Sequence, residues 1–150
     1  MTADHKPGIE ICNCQAVRAA ARHITQAYDA FLAPVGLRTT QFSILGKLKR
    51  RGPLTINALA EEMVMDRTTL GRNILPLERE GLIAIRRGTA DRRSKELELT
   101  EAGVARLRLA TEAWEVAQAR FERVFGEARS ARLRATLREV AATDLGAGGQ

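Results

Sequence analysis

The spacing of apolar residues changes period twice between Thr55 and Thr100, and few architectures accommodate that change. Ile56, Leu59, Ala60 and Met63 form one short run at helical spacing, and Leu70, Ile74 and Leu77 form a second. Thr55 and Asp66 stand where helix N-caps are needed, and Gly81 is the residue type favoured just past a helix end. The period then falls to two: Leu82-Ile83-Ala84-Ile85-Arg86 and the alternating Leu97-Glu98-Leu99 flank a polar segment from Arg87 to Lys95. Two short helices around a tight turn, followed by a two-stranded antiparallel ribbon, make a helix-turn-helix with a wing. Pro76 falls inside the second helix, where it removes a backbone N–H and crowds the carbonyl of Arg72, so a bend is expected there.

Longer helices flank this unit. Val17, Ala20, Ala21, Ile24, Ala27, Tyr28, Phe31 and Leu32 form one amphipathic stripe between Ile11 and Leu32, which Pro34 and Gly36 end. A second helix is expected over 39–50, with Thr39 or Thr40 as its N-cap, Phe42, Leu45 and Leu48 facing inward, and Arg51-Gly52-Pro53 breaking it. Thr100 caps a long helix striped by Leu107, Ala110, Trp114, Ala117, Phe121 and Phe125; after Gly126 a last helix carries Leu133, Leu137, Val140 and Ala141. Residues 1–8, with Pro7-Gly8, read as a flexible arm, and Gly146 to Gln150 as a fraying end. The expected fold is mainly α, within a single domain over 1–150. A winged helix-turn-helix lobe with a two-stranded wing spans about 39–99, between long helices at about 9–34 and 100–145. So small a lobe cannot bury every outer stripe, so the first, fifth and sixth helices are expected to pair with those of a second copy as a homodimer.

Composition excludes several classes. The chain has 45% hydrophobic and 28% charged residues, enough for a core of its own and not the balance of a disordered chain. No run approaches a membrane span, and Asp4, His5, Lys6 and Glu10 interrupt any secretory core, so the expectation is cytoplasmic with no membrane partner. HExxH, GxSxG and Walker-type loops are all missing from the sequence and there are only two histidines, so the reading is not an enzyme, with no catalytic residues and no cofactor. Cys12, Cys14, His5 and His23 lack zinc-site spacing, so no metal is expected. The net charge is +6, but residues 52–99 carry eight basic and eight acidic side chains. A polyanionic partner must therefore be met by placed arginines rather than by bulk charge.

The run Asp91-Arg92-Arg93-Ser94-Lys95-Glu96-Leu97-Glu98-Leu99-Thr100-Glu101-Ala102-Gly103 fits the pattern D-x-R-x-x-x-L-x-L-T-x-x-G at every fixed position. Leu54-Thr55, Leu59-Ala60-Glu61, Leu77-Glu78-Arg79-Glu80-Gly81-Leu82-Ile83 and Arg86 precede it in register. In these motifs the chain resembles the MarR (multiple-antibiotic-resistance regulator) family of winged helix-turn-helix transcriptional regulators. The resemblance implies a homodimeric repressor on a pseudo-palindromic double-stranded DNA operator, with half-sites ~34 Å apart. Arg67, Thr68, Thr69, Arg72 and Arg79 would face the major groove from the second helix of the motif. Arg93 would enter the minor groove, oriented by Asp91, while Arg86, Arg87, Arg92 and Lys95 would hold the DNA backbone. A helical adaptor that uses the fold only to dimerise is the alternative, and leaves the wing arginines without a role.

Two kinds of effector fit the same resemblance. The family's peroxide sensors carry a reactive cysteine early in the first helix and a tyrosine further along, an offset that Cys14 and Tyr28 match; Arg18 stands where those sensors have a second tyrosine. If Cys12 and Cys14 both lie on the helix, they point about 200° apart and are ill placed to bond each other. Other relatives bind small aromatic or phenolic acids in a crevice between the first, second and fifth helices and the winged lobe, for which Arg18, Arg22, His23 and Trp114 are the candidate lining.

Overall fold

A computed structural model describes residues 8–146. Residues 1–7 of the predicted flexible arm (1–8) and residues 147–150 of the Gly-rich end (146–150) lie outside those residues. A short 3₁₀ turn at Ile9–Ile11 leads to α1 (Asn13–Leu32), and a second at Ala33–Val35 joins it to α2 (Thr39–Arg51). Then come β1 (Leu54–Thr55), α3 (Ile56–Met63), α4 (Arg67–Arg79), β2 (Ile83–Arg87), β3 (Lys95–Leu99), α5 (Glu101–Phe125) and α6 (Glu127–Ala142).

The caps follow from local chemistry. Thr55 Oγ1 accepts the Ala58 amide at 3.1 Å, Asp66 Oδ1 that of Thr69 at 2.8 Å, and Thr100 Oγ1 that of Gly103 at 3.0 Å, as their sequence positions led us to expect. Neither Thr39 nor Thr40 caps α2. Arg38 holds that place, and its amide donates to Gln41 Oε1 at 3.0 Å. Thr39 begins the helix proper, its amide and hydroxyl both donating to Asp29 Oδ1 at 2.7 Å. A carboxylate from α1, distant in sequence, thus supplies what a local cap would have supplied. Pro76 does not end α4, which runs on to Arg79. It stands in the last turn, where only the bond to the Arg72 carbonyl is forfeited.

The wing carries one strand more than expected. Leu54 and Thr55 pair with Leu97 and Glu96, so the antiparallel sheet runs in the order β1-β3-β2. Two residues are too short to show a period, and the strand ends directly in the α3 cap. Leu97, on the central strand, is fully buried and joins a core of Leu32, Ile44, Leu45, Leu59, Leu70, Leu77 and Leu82. Trp114 stacks on Phe42 at 6.0 Å against that core, and Tyr28, Phe121 and Phe125 form a second aromatic group between α1 and α5.

Outside the lobe, burial is thin. On α6 only Ser130 is buried, while Leu137 and Val140 are exposed, as are Val17 on α1 and Leu109, Val116 and Val124 on α5. Ser130 donates to the Gly126 carbonyl at 2.7 Å, Arg129 lies 4.2 Å above the Phe125 ring, and Arg134 meets Glu122 at 3.1 Å; these hold α6 to the end of α5. Among the described residues, no helix is long and apolar enough to cross a membrane.

Two backbone positions invite tests. Val64, between α3 and α4, has φ +51° and is exposed, a left-handed conformation that costs a branched residue about 1–2 kcal/mol. Val64→Gly should raise stability by up to about 1 kcal/mol in a denaturant melt, the relief being partly offset by a freer unfolded chain. Gly103 packs so closely on the Leu82 carbonyl and the Leu99 side chain that a Cβ would overlap both. Gly103→Ala should cost about 1–3 kcal/mol in the same assay, because backbone must move.

Candidate nucleic-acid interface

Burial divides α4 as its sequence predicts. Leu70, Ile74 and Leu77 are buried, Pro76 is half-buried, and Arg67, Thr68, Thr69, Arg72, Leu75 and Arg79 are exposed. Asp66 organises the exposed start of this helix. Its Oδ1 accepts the Thr69 amide and its Oδ2 the Thr69 hydroxyl, each at 2.8 Å. The Thr69 hydroxyl proton is therefore committed within the protein, leaving its methyl and oxygen lone pairs for a partner, whereas Thr68 forms no such tie. Those bonds, the amide first and the hydroxyl second, hold the Asp66 carboxyl below its ordinary range. Asn73 donates to the Thr69 carbonyl at 2.9 Å and steadies the same turn; nothing in its sequence context singles it out.

The tip of the wing is a closed turn. Asp91 Oδ1 accepts the Arg93 amide at 2.9 Å, Ser94 Oγ donates to the Asp91 carbonyl at 2.8 Å, and the Gly88 amide bonds the Ser94 carbonyl at 2.9 Å. Asp91 orients Arg93 through its main chain, not by pairing with its guanidinium, so that guanidinium remains free. Gly88 is needed because a Cβ there would overlap Ser94 Oγ and the Asp91 carbonyl.

Not every expected cation is available. Arg86 pairs with Glu98 across the ribbon, which takes it out of the set of free backbone contacts. By contrast, Arg87 stands directly opposite Lys95, a like-charge register that destabilises a hairpin lacking a nearby anion. Among the described residues, Arg67, Arg72, Arg79, Arg87, Arg92, Arg93 and Lys95 form no ion pair. Three of them converge. A cleft of 420 Å³ between the wing and the start of α3 is lined by Thr55, Ile56, Asn57, Arg67, Arg93, Ser94 and Lys95, with no acidic side chain. Asn57, missed at the sequence level, was detectable as an exposed polar residue just after the Thr55 cap. The amide-rich helix start adds its own attraction for an anion.

The sensor candidates are scattered. Cys12 is the N-cap of α1, its Sγ accepting the Gln15 amide at 3.4 Å, so it precedes the helix and the 200° separation does not apply. Cys14 is exposed in the first turn. Tyr28 lies fourteen residues further along the same helix, about 21 Å away at 1.5 Å per residue, so the two cannot touch within one chain. The Tyr28 hydroxyl donates to Gln118 at 2.6 Å, and burial, reinforced by Glu122, raises its pKa. His23 lines a cleft of 220 Å³ with Tyr28, Phe31, Arg120 and Phe121, but Arg18, Arg22 and Trp114 do not border it. Arg18 and Arg22 are exposed on α1, and Trp114 packs on Phe42. The four expected lining residues do not meet in that cleft, whereas Arg120 joins His23 there unforeseen.

Fold and cleft together define a winged helix-turn-helix protein with a basic recognition surface. The family model for the MarR family matches residues 37–95. The M. tuberculosis transcriptional regulator MosR superposes with TM-score 0.76 at 36% identity, over 89% of this chain and 98% of that one. The same regulator in complex with DNA gives TM-score 0.75 at 39% identity, over 87% and 96%. The chain belongs to the MarR family. It is also 30% identical over 90 residues to the organic hydroperoxide resistance transcriptional regulator of Bacillus subtilis, a match that spans 60% of this chain and 61% of that protein.

The Asp66 cap predicts a pH dependence. A carboxyl depressed on folding contributes fully above its unfolded value of 3.8, and the contribution fades as pH falls through the lower folded value. Asp66→Asn keeps a capping oxygen without the titration, so its melting temperature should fall less than that of the wild type between pH 5 and strongly acidic solution. Parallel curves for the two proteins would refute the assignment.

Proposed function

We propose that the protein is a homodimeric, cytoplasmic DNA-binding transcriptional regulator without catalytic activity, acting as a repressor. Residues of about 39–99 would read DNA and the helices at about 9–34 and 100–145 would pair. The observation that carries this reading is the convergence of Arg67, Arg93 and Lys95 on one cleft without a counterion. Uncompensated cations brought together on folding cost stability unless a polyanion answers them. Thr68, Arg72 and Arg79 would face the major groove, Arg93 the minor groove, and Arg87, Arg92 and Lys95 the phosphates. The DNA complex of its 39%-identical relative supports the same partner. The exposed stripes of α1, α5 and α6 supply what a second copy would cover.

For the effector, the hydroperoxide regulator among its relatives and the exposed Cys14 favour an oxidant. Since Cys14 and Tyr28 are far apart in one chain, an oxidised Cys14 sulfur would not reach that tyrosine within its own chain and would condense with another thiol.

The test is fluorescence anisotropy on the DNA upstream of the protein's own gene, as a function of salt and with or without an organic hydroperoxide. Tight binding with a steep salt slope is expected, and Arg93→Ala should lower that slope by about one. Binding no tighter than to random DNA would refute the reading. Peroxide should release the wild type and leave Cys14→Ser bound. Light scattering should give twice the 16.5 kDa chain mass.

A further inference from the structure

One guanidinium ties the end of the recognition helix to the corner between α1 and α2. Arg106, early in α5, donates from Nη1 to the Val35 carbonyl at 3.3 Å and to Glu80 Oε2 at 3.5 Å. Glu80 closes α4, and Val35 lies in the 3₁₀ turn between α1 and α2, so three parts of the chain meet on one nitrogen. The corner is shaped to admit it. Gly36 follows that turn at φ +77°, and a Cβ on it would stand 3.2 Å from Nη1. Arg106 also borders an open groove with Pro34, Leu109 and Val116, and takes no part in the basic cleft at the wing. It is therefore not placed as a phosphate contact.

We infer that Arg106 is a positioning residue for DNA recognition. It holds the last turn of α4 against the α1–α2 corner, so that corner sets the direction of the recognition helix. The inference rests on the DNA-binding reading above. Thr100 already fixes the carbonyls of Gly81 and Leu82, just past α4. Arg106 adds a side-chain hold on Glu80, and two separated holds resist a pivot that one permits. Because the pair with Glu80 is partly exposed, its effect is a modest change in the population of the reading geometry, not a loss of fold.

The experiment compares wild type, Arg106→Gln, Arg106→Lys, Glu80→Ala and the Arg106→Gln/Glu80→Ala double variant. Binding is measured to the upstream DNA and to a random duplex of equal length, and amide exchange over residues 77–83 is followed without DNA. Arg106→Gln and Glu80→Ala should each weaken upstream binding about threefold to fivefold, with random-duplex affinity and salt slope unchanged. The double variant should be no weaker than the weaker single, since both remove one tie, and Arg106→Lys should recover part of the loss. Exchange of the Glu80, Gly81 and Leu82 amides should quicken in Arg106→Gln. Additive losses, a salt slope lower by one, or unchanged exchange would overturn the inference. If wild type shows no preference for the upstream DNA, the regulator reading and the positioning role fall together; faster exchange in Arg106→Gln would then establish a tie with no part in DNA recognition.

Discussion

The structure depends on the contact between the start of α5 and the end of α4. Thr100 donates from its amide to the Leu82 carbonyl at 3.1 Å and from its hydroxyl to the Gly81 carbonyl at 2.6 Å, while its oxygen accepts the Gly103 amide. One residue thereby satisfies two carbonyls left at the exit of α4 and caps the next helix. Gly103 lets the backbones close to contact. The recognition helix α4, strand β2 and the longest helix α5 all take their direction from this joint. Gly81, at φ +73°, gives the chain the reversal that it needs there.

The distribution of acids helps to explain how residues 52–99, with equal numbers of acids and bases, present a basic face. Glu62 is shared by Lys47 and Arg51, Glu98 takes Arg86, Glu80 takes Arg106, and Asp66 and Asp91 accept backbone amides. Each of these carboxylates is engaged in fixing a turn, a strand pair or a helix end. The remaining cations of α4 and the wing form no ion pair among the described residues. Net charge concealed this, because polarity arises from which partners the acids find on folding.

Much of the lobe was legible because its signals are local. The switch from helical to strand period, the caps at Thr55, Asp66 and Thr100, and Gly81 each act within a few residues. What escaped reading depends on contacts distant in sequence. Asp29 reaches Thr39 from another helix, Leu54-Thr55 becomes a strand only because β3 lies beside it, and Arg86 is claimed by Glu98 across the ribbon. How the sensor residues stand to one another was illegible for the same reason. An offset along one helix gives a distance along its axis, and that distance separates Cys14 from Tyr28 unless another chain intervenes.

The sheet order has a mechanical consequence. Because β3 lies between β1 and β2, and β1 runs straight into the cap of α3, the wing is bonded along its root to the helix-turn-helix. A hairpin hinged only at its two ends would swing to suit whatever groove it met. This one is braced like a bracket, so the spacing between Arg93 at its tip and the face of α4 is nearly a fixed gauge. On a duplex whose grooves differ from that gauge, the strain would pass to the DNA. Stiff and pliable sequences would then be told apart at base pairs that no side chain touches.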